Sequence, residues 1–230
     1  MTEVLYGRNP VREALRAGRR RVRHVWATES AVPEFDAGAV VADAEIERLC
    51  GSPDHQGVCA EVDPYPYAEP GSLLAAEDAL VVCLDQVQDP RNLGAVCRVA
   101  ECAGAAGVVI PDRRAAAVTP VAAKAAAGAV EHLAVARVGN LADWILGEAK
   151  GAGAWVYGAA AGARTGWSEP DYRGRVVLVL GSEGKGVRPR VAEACDERIA
   201  LPMRGRIDSL NVSAAAAALV YGVLQFRAQP

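Results

Sequence analysis

Residues 80–104, LVVCLDQVQDPRNLGAVCRVAECAG, decide the fold class. Residues 80–84 form a short, unbroken apolar run with no polar alternation, which predicts a strand buried on both faces. A polar turn follows. Apolar residues then recur at helical spacing over 92–103, with Asn92 a good N-cap and Gly104 a good stop. Buried strand, polar turn and helix together make one unit of a parallel α/β domain.

The same alternation extends downstream. Strands are predicted at 107–110, 154–157 and 176–180, and helices at 120–128, 140–150, 187–194 and 212–227. Residues 77–230 therefore read as an open, mostly parallel sheet with ligands expected at the strands' carboxyl ends. Upstream, DPYPYAEPGS at 63–72 carries three prolines and a glycine, so 63–76 reads as a linker. Residues 1–62 then make a small α/β unit. A helix is predicted from Asn9-Pro10 to about Ala17, strands at 22–27 and 58–62, and a helix at 43–50 stopped by Gly51.

The whole chain has 230 residues, 28 acidic and 25 basic, and is 51% hydrophobic with a net charge of −3, a balance that excludes disorder. No window of about 18 residues stays apolar, and the N-terminus lacks the pattern of a secretory signal, so a cytoplasmic protein without a membrane span is expected. The six cysteines form no CxxC pair and no zinc-ligand spacing with histidine. They are expected to be small, buried and reduced, with no metal site. Seven arginines (Arg8, Arg12, Arg16, Arg19, Arg20, Arg21 and Arg23) precede residue 24 against only Glu3 and Glu13. Such a block is either a solvated surface or a phosphate-contacting patch.

Three segments at strand ends concentrate polar chemistry. In the first, Arg98 lies within an otherwise apolar helix, either snorkelling or held for a purpose. In the second, residues 177–189 (VLVLGSEGKGVRP), three glycines let the backbone approach a ligand closely. It is not a phosphate loop, because Lys185 is followed by Gly186 and not by Ser or Thr. Glu183 in that turn is either a partner of the next helix's dipole or a functional carboxylate. In the third, Ser209, Asn211 and Ser213 compete to cap the last helix. One cap suffices, so at least one of them is employed elsewhere.

Taken together, these segments resemble the three motifs of the SpoU/TrmH family of RNA ribose 2′-O-methyltransferases. The first is Asn92-Leu93-Gly94-Ala95-Val96-Cys97-Arg98. The second is Leu180-Gly181-Ser182-Glu183-Gly184-Lys185-Gly186. The third is Leu201-Pro202-Met203 with Ser209-Leu210-Asn211-Val212-Ser213. Leu5-Tyr6-Gly7-Arg8-Asn9-Pro10-Val11 and His55-Gln56-Gly57-Val58 further resemble the small RNA-binding domain of the family's 23S rRNA guanosine group. Ala125-Ala126-Ala127 departs from the family pattern, where serine is common.

The resemblance implies an α/β catalytic domain with a C-terminal trefoil knot, an exception to the unknotted rule. It implies S-adenosylmethionine as cofactor, held by main-chain groups at Gly181, Leu201 and Leu210, and a homodimer with its active site near the subunit interface. It also implies Arg98, Asn92, Glu183, Ser209 and Asn211 as catalytic residues. Arg98 either assists removal of the 2′-hydroxyl proton, which its high intrinsic pKa disfavours, or orients a phosphate and stabilises the developing alkoxide. Arg8, Arg12, Arg16, Arg20 and His55 become the expected RNA contacts. The implied substrate is a guanosine in large-subunit rRNA. Within the class the alternatives are a tRNA guanosine enzyme or a resistance methylase, and outside it a silent RNA-binding or ribosome-assembly module.

Overall fold

A computed structural model describes residues 2–182 and 184–229. The chain begins with β1 (Glu3–Tyr6), α1 (Arg8–Ala17), β2 (Val22–Ala27), β3 (Ala39–Val40), α2 (Asp43–Cys50) and β4 (Val58–Val62). These strands make one sheet in the order β1-β4-β2-β3, with β4 antiparallel to both neighbours. The strand β1 escaped the sequence reading because four residues are too few to establish a period.

The rest of the chain forms β5 (Leu80–Asp85), α3 (Pro90–Cys102), β6 (Gly107–Pro111), α4 (Pro120–Ala125), β7 (Val135–Val138) and α5 (Leu141–Trp144). Then come β8 (Trp155–Ala159), β9 (Thr165–Gly166), β10 (Val176–Gly181), α6 (Pro189–Ala194), β11 (Glu197–Ala200) and α7 (Val212–Arg227). Seven strands lie in the order β7-β6-β5-β10-β8-β11-β9, and every pairing is parallel. The expected α/β architecture with a parallel sheet and a preceding small unit is therefore what forms. Chain order reverses between β5 and β10, so their carboxyl ends mark the place where an open α/β sheet accommodates a ligand.

Alternation assigns the two faces of this sheet. Leu80, Val82 and Leu84 of β5, with Leu178 and Leu180 of β10, pack toward α3, α4 and α7. Val81, Cys83, Val177 and Val179 point the other way, toward α5 and α6. Both central strands are thus buried on two sides. In this sheet domain four elements differ from expectation, among them β7, which was not read as a strand. The helix read at 140–150 ends after Trp144 and continues as a wide π turn over Ile145–Ala149, which contains Gly147. The strand β11 begins Glu-Arg, which masks it, and two-residue β9 pairs with β11 alone at the sheet edge.

The two sheets meet at a built junction. Arg20 is 5% exposed and donates from Nε to Glu131 at 3.1 Å and from Nη1 to Glu3 at 2.9 Å. The Tyr65 hydroxyl donates to Leu133 O at 2.9 Å, and Ala68 N to Val135 O at 2.9 Å. Residues 63–76 run along this seam, with Tyr65 buried and a tight 3-10 turn at Pro70–Leu74. Lys124 of α4 reaches the small unit, with Nζ 5.9 Å from the Tyr6 ring centroid. Among the described residues, no helix is long and apolar enough to cross a membrane, and no cluster of His, Cys, Asp and Glu is placed to hold a metal.

Candidate active site

The site is built where β5 and β10 end. Asp85 pairs with Gly181 across the two strands and is fully buried. Its carboxylate accepts from Arg188 N at 2.8 Å and Arg188 Nε at 2.8 Å, so the glycine-bearing loop after β10 is clamped to the end of β5. That loop folds back on itself, with Gly186 N donating to Ser182 O at 2.9 Å. A Cβ on Gly181 would lie 1.9 Å from Gly186 C, so only glycine fits there. Glu183, expected as a catalytic carboxylate, lies outside the described residues.

Two helix starts complete the wall. The cap of α3 is Asp89, whose side chain accepts from Arg91 N at 2.8 Å, not the expected Asn92. Pro90 explains the difference, since proline at the first helical position pulls the start two residues upstream. Asn92 is thereby freed from capping and lies in the first turn. At α7 the cap is Asn211, which accepts from Ser213 N at 2.8 Å. The same side chain donates from Nδ2 to Asn92 Oδ1 at 3.0 Å. Two motif asparagines separated by 119 residues are thus joined directly.

Two cavities flank this pair. The larger, about 400 Å³, is walled by Leu180, Gly181, Leu201, Ser209, Leu210 and Val212. It brings together the three residues expected to hold the cofactor, Gly181, Leu201 and Leu210, with Ser209. The second, about 280 Å³, is polar and lined by Gln86, Gln88, Asp89, Asn92 and Lys185. Ser182 and Val212 line both, so the cavities adjoin. Gln86 holds a φ of 61°, a left-handed turn that directs the chain from β5 around the second cavity. Asp85, Gln86, Gln88 and Arg188 were passed over in the sequence. The available signal was their position at the carboxyl end of a buried strand.

Arg98 stands apart. It is exposed on α3, six residues beyond Asn92 and so roughly 120° around the helix from it. Within one chain it does not join the asparagine pair. Its neighbour Cys97 is wholly buried, and burial pushes that thiol up to about 12. Desolvation likewise raises Cys59 to about 12 and Cys195 to about 11, so these sulfurs stay protonated at neutral pH and are poor nucleophiles. All six cysteines are free, and Cys102 is exposed, unlike the buried group expected.

The arginine block divides. Arg20 is corrected: buried and ion-paired at the junction, it cannot reach an RNA phosphate. Arg8 and Arg12 both pair with Glu34, Arg12 at 2.7 Å, while Arg16 is largely exposed beside Glu13 at 3.1 Å. His55, expected as an RNA contact, is only 6% exposed and ends the 3-10 turn Pro53–His55.

A doubly buried parallel sheet with two adjoining cavities at its switch point is the arrangement in which open α/β proteins hold ligands. The chain belongs to the SpoU rRNA methylase family, whose profile matches residues 79–221. Residues 4–68 match the RNA 2′-O ribose methyltransferase substrate-binding family. The protein is thus an RNA 2′-O-ribose methyltransferase by family. A TrmH-family tRNA/rRNA methyltransferase of Bacillus subtilis is 40% identical, over 98% of this chain and 96% of that one. In fold, the chain resembles an AdoMet-bound rRNA methyltransferase from Sinorhizobium meliloti, with a TM-score of 0.85 and 23% identity over 100% of this chain and 88% of that one. A TrmH/SpoU tRNA modifying enzyme from A. aeolicus (27% identical, TM-score 0.59) covers only 68% of this chain and 80% of its own.

Proposed function

We propose that the protein is a cytoplasmic homodimer that methylates the ribose 2′-hydroxyl of a guanosine in large-subunit rRNA, with S-adenosylmethionine as donor. The observation carrying this reading is the pair of adjoining cavities with Ser182 and Val212 as their common wall. The larger fits the donor: it has apolar walls at Leu180, Ile199 and Leu219, and Gly181 presents main chain without a side chain. Gly181, Leu201 and Leu210 would hold the donor there. When bound, S-adenosylmethionine supplies an electrophilic methyl group. The chain's own residues must align the acceptor hydroxyl and lower the cost of its deprotonation. Asn92, Asn211 and Ser209 are suited to orienting the ribose at the seam between the cavities, and Glu183 is assigned with them by motif.

Arg98 supports a composite site. With Arg91 and Cys102 it forms an exposed stripe on α3, and α7, packed beside α3, exposes Ala214, Ala218 and Tyr221. A second protomer packed on this face carries its Arg98 toward its partner's cavities. There an exposed guanidinium is suited to gripping an RNA phosphate and stabilising alkoxide charge. Large-subunit rRNA is favoured because a substrate-binding unit over residues 4–68, with Arg8, Arg12, Arg16 and His55, accompanies the catalytic domain, whereas the tRNA modifying enzyme covers only 68% of this chain. The guanosine assignment follows from the motifs of that unit.

The test is methyl transfer from labelled S-adenosylmethionine to unmodified total RNA, with rRNA and tRNA resolved. Label in large-subunit rRNA at an alkali-resistant linkage is expected. Label confined to tRNA overturns the substrate assignment, and none overturns the activity. Arg98→Ala and Asn211→Ala should each abolish turnover, with donor affinity nearly unchanged for Arg98→Ala. Mixed and reassociated, the two variants should recover about a quarter of wild-type activity, because half the dimers then hold one complete site. No recovery would place Arg98 in its own chain's site.

A further inference from the structure

The small unit contains a recess that neither the catalytic cavities nor the arginine block explains. Arg8, Ser30, Asp43, Pro53, His55 and Gln56 line it. Its central feature is His55, only 6% exposed. Gly57 N donates to His55 Nδ1 at 3.0 Å, which fixes the imidazole as the tautomer carrying its proton on Nε2. No described residue accepts from that Nε2. The ring is otherwise buried and lines the recess, so its Nε2–H is a donor open to an acceptor from outside the protein. Beside it stands the Asp43 carboxylate, 4.0 Å from Nδ1 and largely exposed. A donor and an acceptor thus line one recess, and the edge of a nucleobase carries both, a carbonyl or ring nitrogen next to an N–H.

The recess is also held firmly. Gln56 (φ 55°) and Gly57 (φ 79°) are consecutive left-handed residues, and a Cβ on Gly57 would sit 2.6 Å from Thr28 Oγ1. Gln56 Oε1 accepts from Arg8 N at 3.1 Å, and its carbonyl from Arg8 Nε at 3.3 Å. Lys124 of α4 fills the space over Gly7 at the same loop, its Nζ 2.3 Å from where a Cβ would stand. On the far side of α4, Gly94 of α3 meets it so closely that a Cβ would lie 2.3 Å from Ala122 O. Close contacts therefore run from the recess through α4 to the helix that carries Asn92.

We propose that this recess binds the base of a second, unpaired nucleotide of the RNA substrate, at a fixed distance from the nucleotide that is methylated. His55 Nε2–H donates to the base and Asp43 accepts from it. The inference rests on the RNA methyltransferase reading and adds that the small unit recognises one base and does more than attract phosphates. Such a contact sets which nucleotide reaches the donor, because only an RNA with an accessible base at that spacing satisfies both sites.

The discriminating variant is His55→Asn, whose side-chain oxygen can still accept from Gly57 N while the pocket-facing donor is lost. Asp43→Ala, at an exposed position, is its companion. With total unmodified rRNA as substrate, each should raise the RNA KM about three- to tenfold, the worth of one hydrogen bond, with kcat and donor affinity unchanged. Titration of the wild-type dimer with single-stranded hexaribonucleotides of A, C, G and U, followed through the His55 imidazole resonances, should shift them with at least one homopolymer. That response should disappear in Asp43→Ala. Unmoved resonances with all four, or an unchanged KM in both variants, overturn the proposal while leaving methyl transfer intact. Loss of methyl transfer in the wild type strikes the underlying reading and is scored separately.

Discussion

Gly181 is the residue at which the backbone of the loop after β10 has least freedom to change. An added methyl group would fall within 2.2 Å of three backbone atoms of Gly186 and Val187, and no side chain is there to move aside. The loop would have to open, and the clamp from Arg188 to buried Asp85 resists that. Gly181→Ala is therefore expected to slow methyl transfer about a hundredfold, because a shift of about 1 Å at a positioned site has that effect on rate, and to weaken S-adenosylmethionine binding by calorimetry. Unchanged affinity would mean that the larger cavity holds something else. At this scale the sequence was partly legible. The clustering of glycines after a strand announced a backbone-lined site, but which glycine has no room for a side chain depends on Gly186 folding back. Asn92 and Asn211 were both visible, yet their hydrogen bond was not, because no local pattern links residues 119 apart.

At the scale of elements, the central strands were easy to read because they are buried on both faces and carry no polar residue to interrupt the run. The edge strands β7 and β9, and β11 beside β9, were not, since two to four residues make no period. The start of α3 was misread, because Asp89 with Pro90 after it outcompetes Asn92. The start of α7 at 212 was read, and of its three candidate caps Asn211 is the one used, while Ser209 lines the larger cavity. Helix packing carries its own prediction. Gly94 lets α3 lie against α4, where a Cβ would also come within 2.8 Å of Ala125 Cβ. Gly94→Ala improves helix propensity by about 1 kcal/mol but forces the helices apart, and overpacking of this kind costs about 1–3 kcal/mol. A net loss of thermal stability is expected by calorimetry, with a rise in RNA KM as the small unit shifts with α4. A stabilised variant would mean that α3 and α4 separate easily.

The whole molecule depends on how the two sheets are joined, and here the sequence pointed the wrong way. An arginine block in a unit expected to bind RNA looks like a phosphate patch, and only folding reveals that Arg20 turns inward to Glu131. The side chains of this pair are 2% and 0% exposed, with Glu3 as a third member. Such a pair is a modest net contributor when whole, but removing Glu131 leaves the buried Arg20 charge with part-exposed Glu3 alone, at a cost of about 3–5 kcal/mol. Glu131→Ala should therefore lower the Tm by about 6–20 °C in a chain of this size. Because the same junction holds the recess around His55 at its distance from Asn92, the variant should also raise the RNA KM at temperatures where it remains folded, with donor affinity preserved. Replacing both partners by apolar residues, Arg20→Met with Glu131→Leu, removes the stranded charge and should recover most of the lost Tm. If the double variant regains stability but not the RNA KM, the ion pair sets the orientation of the two units beyond holding them together. If Glu131→Ala melts within about 2 °C of the wild type, a shift worth under 1 kcal/mol in a chain of this size, the junction is held by Tyr65 and its apolar neighbours instead.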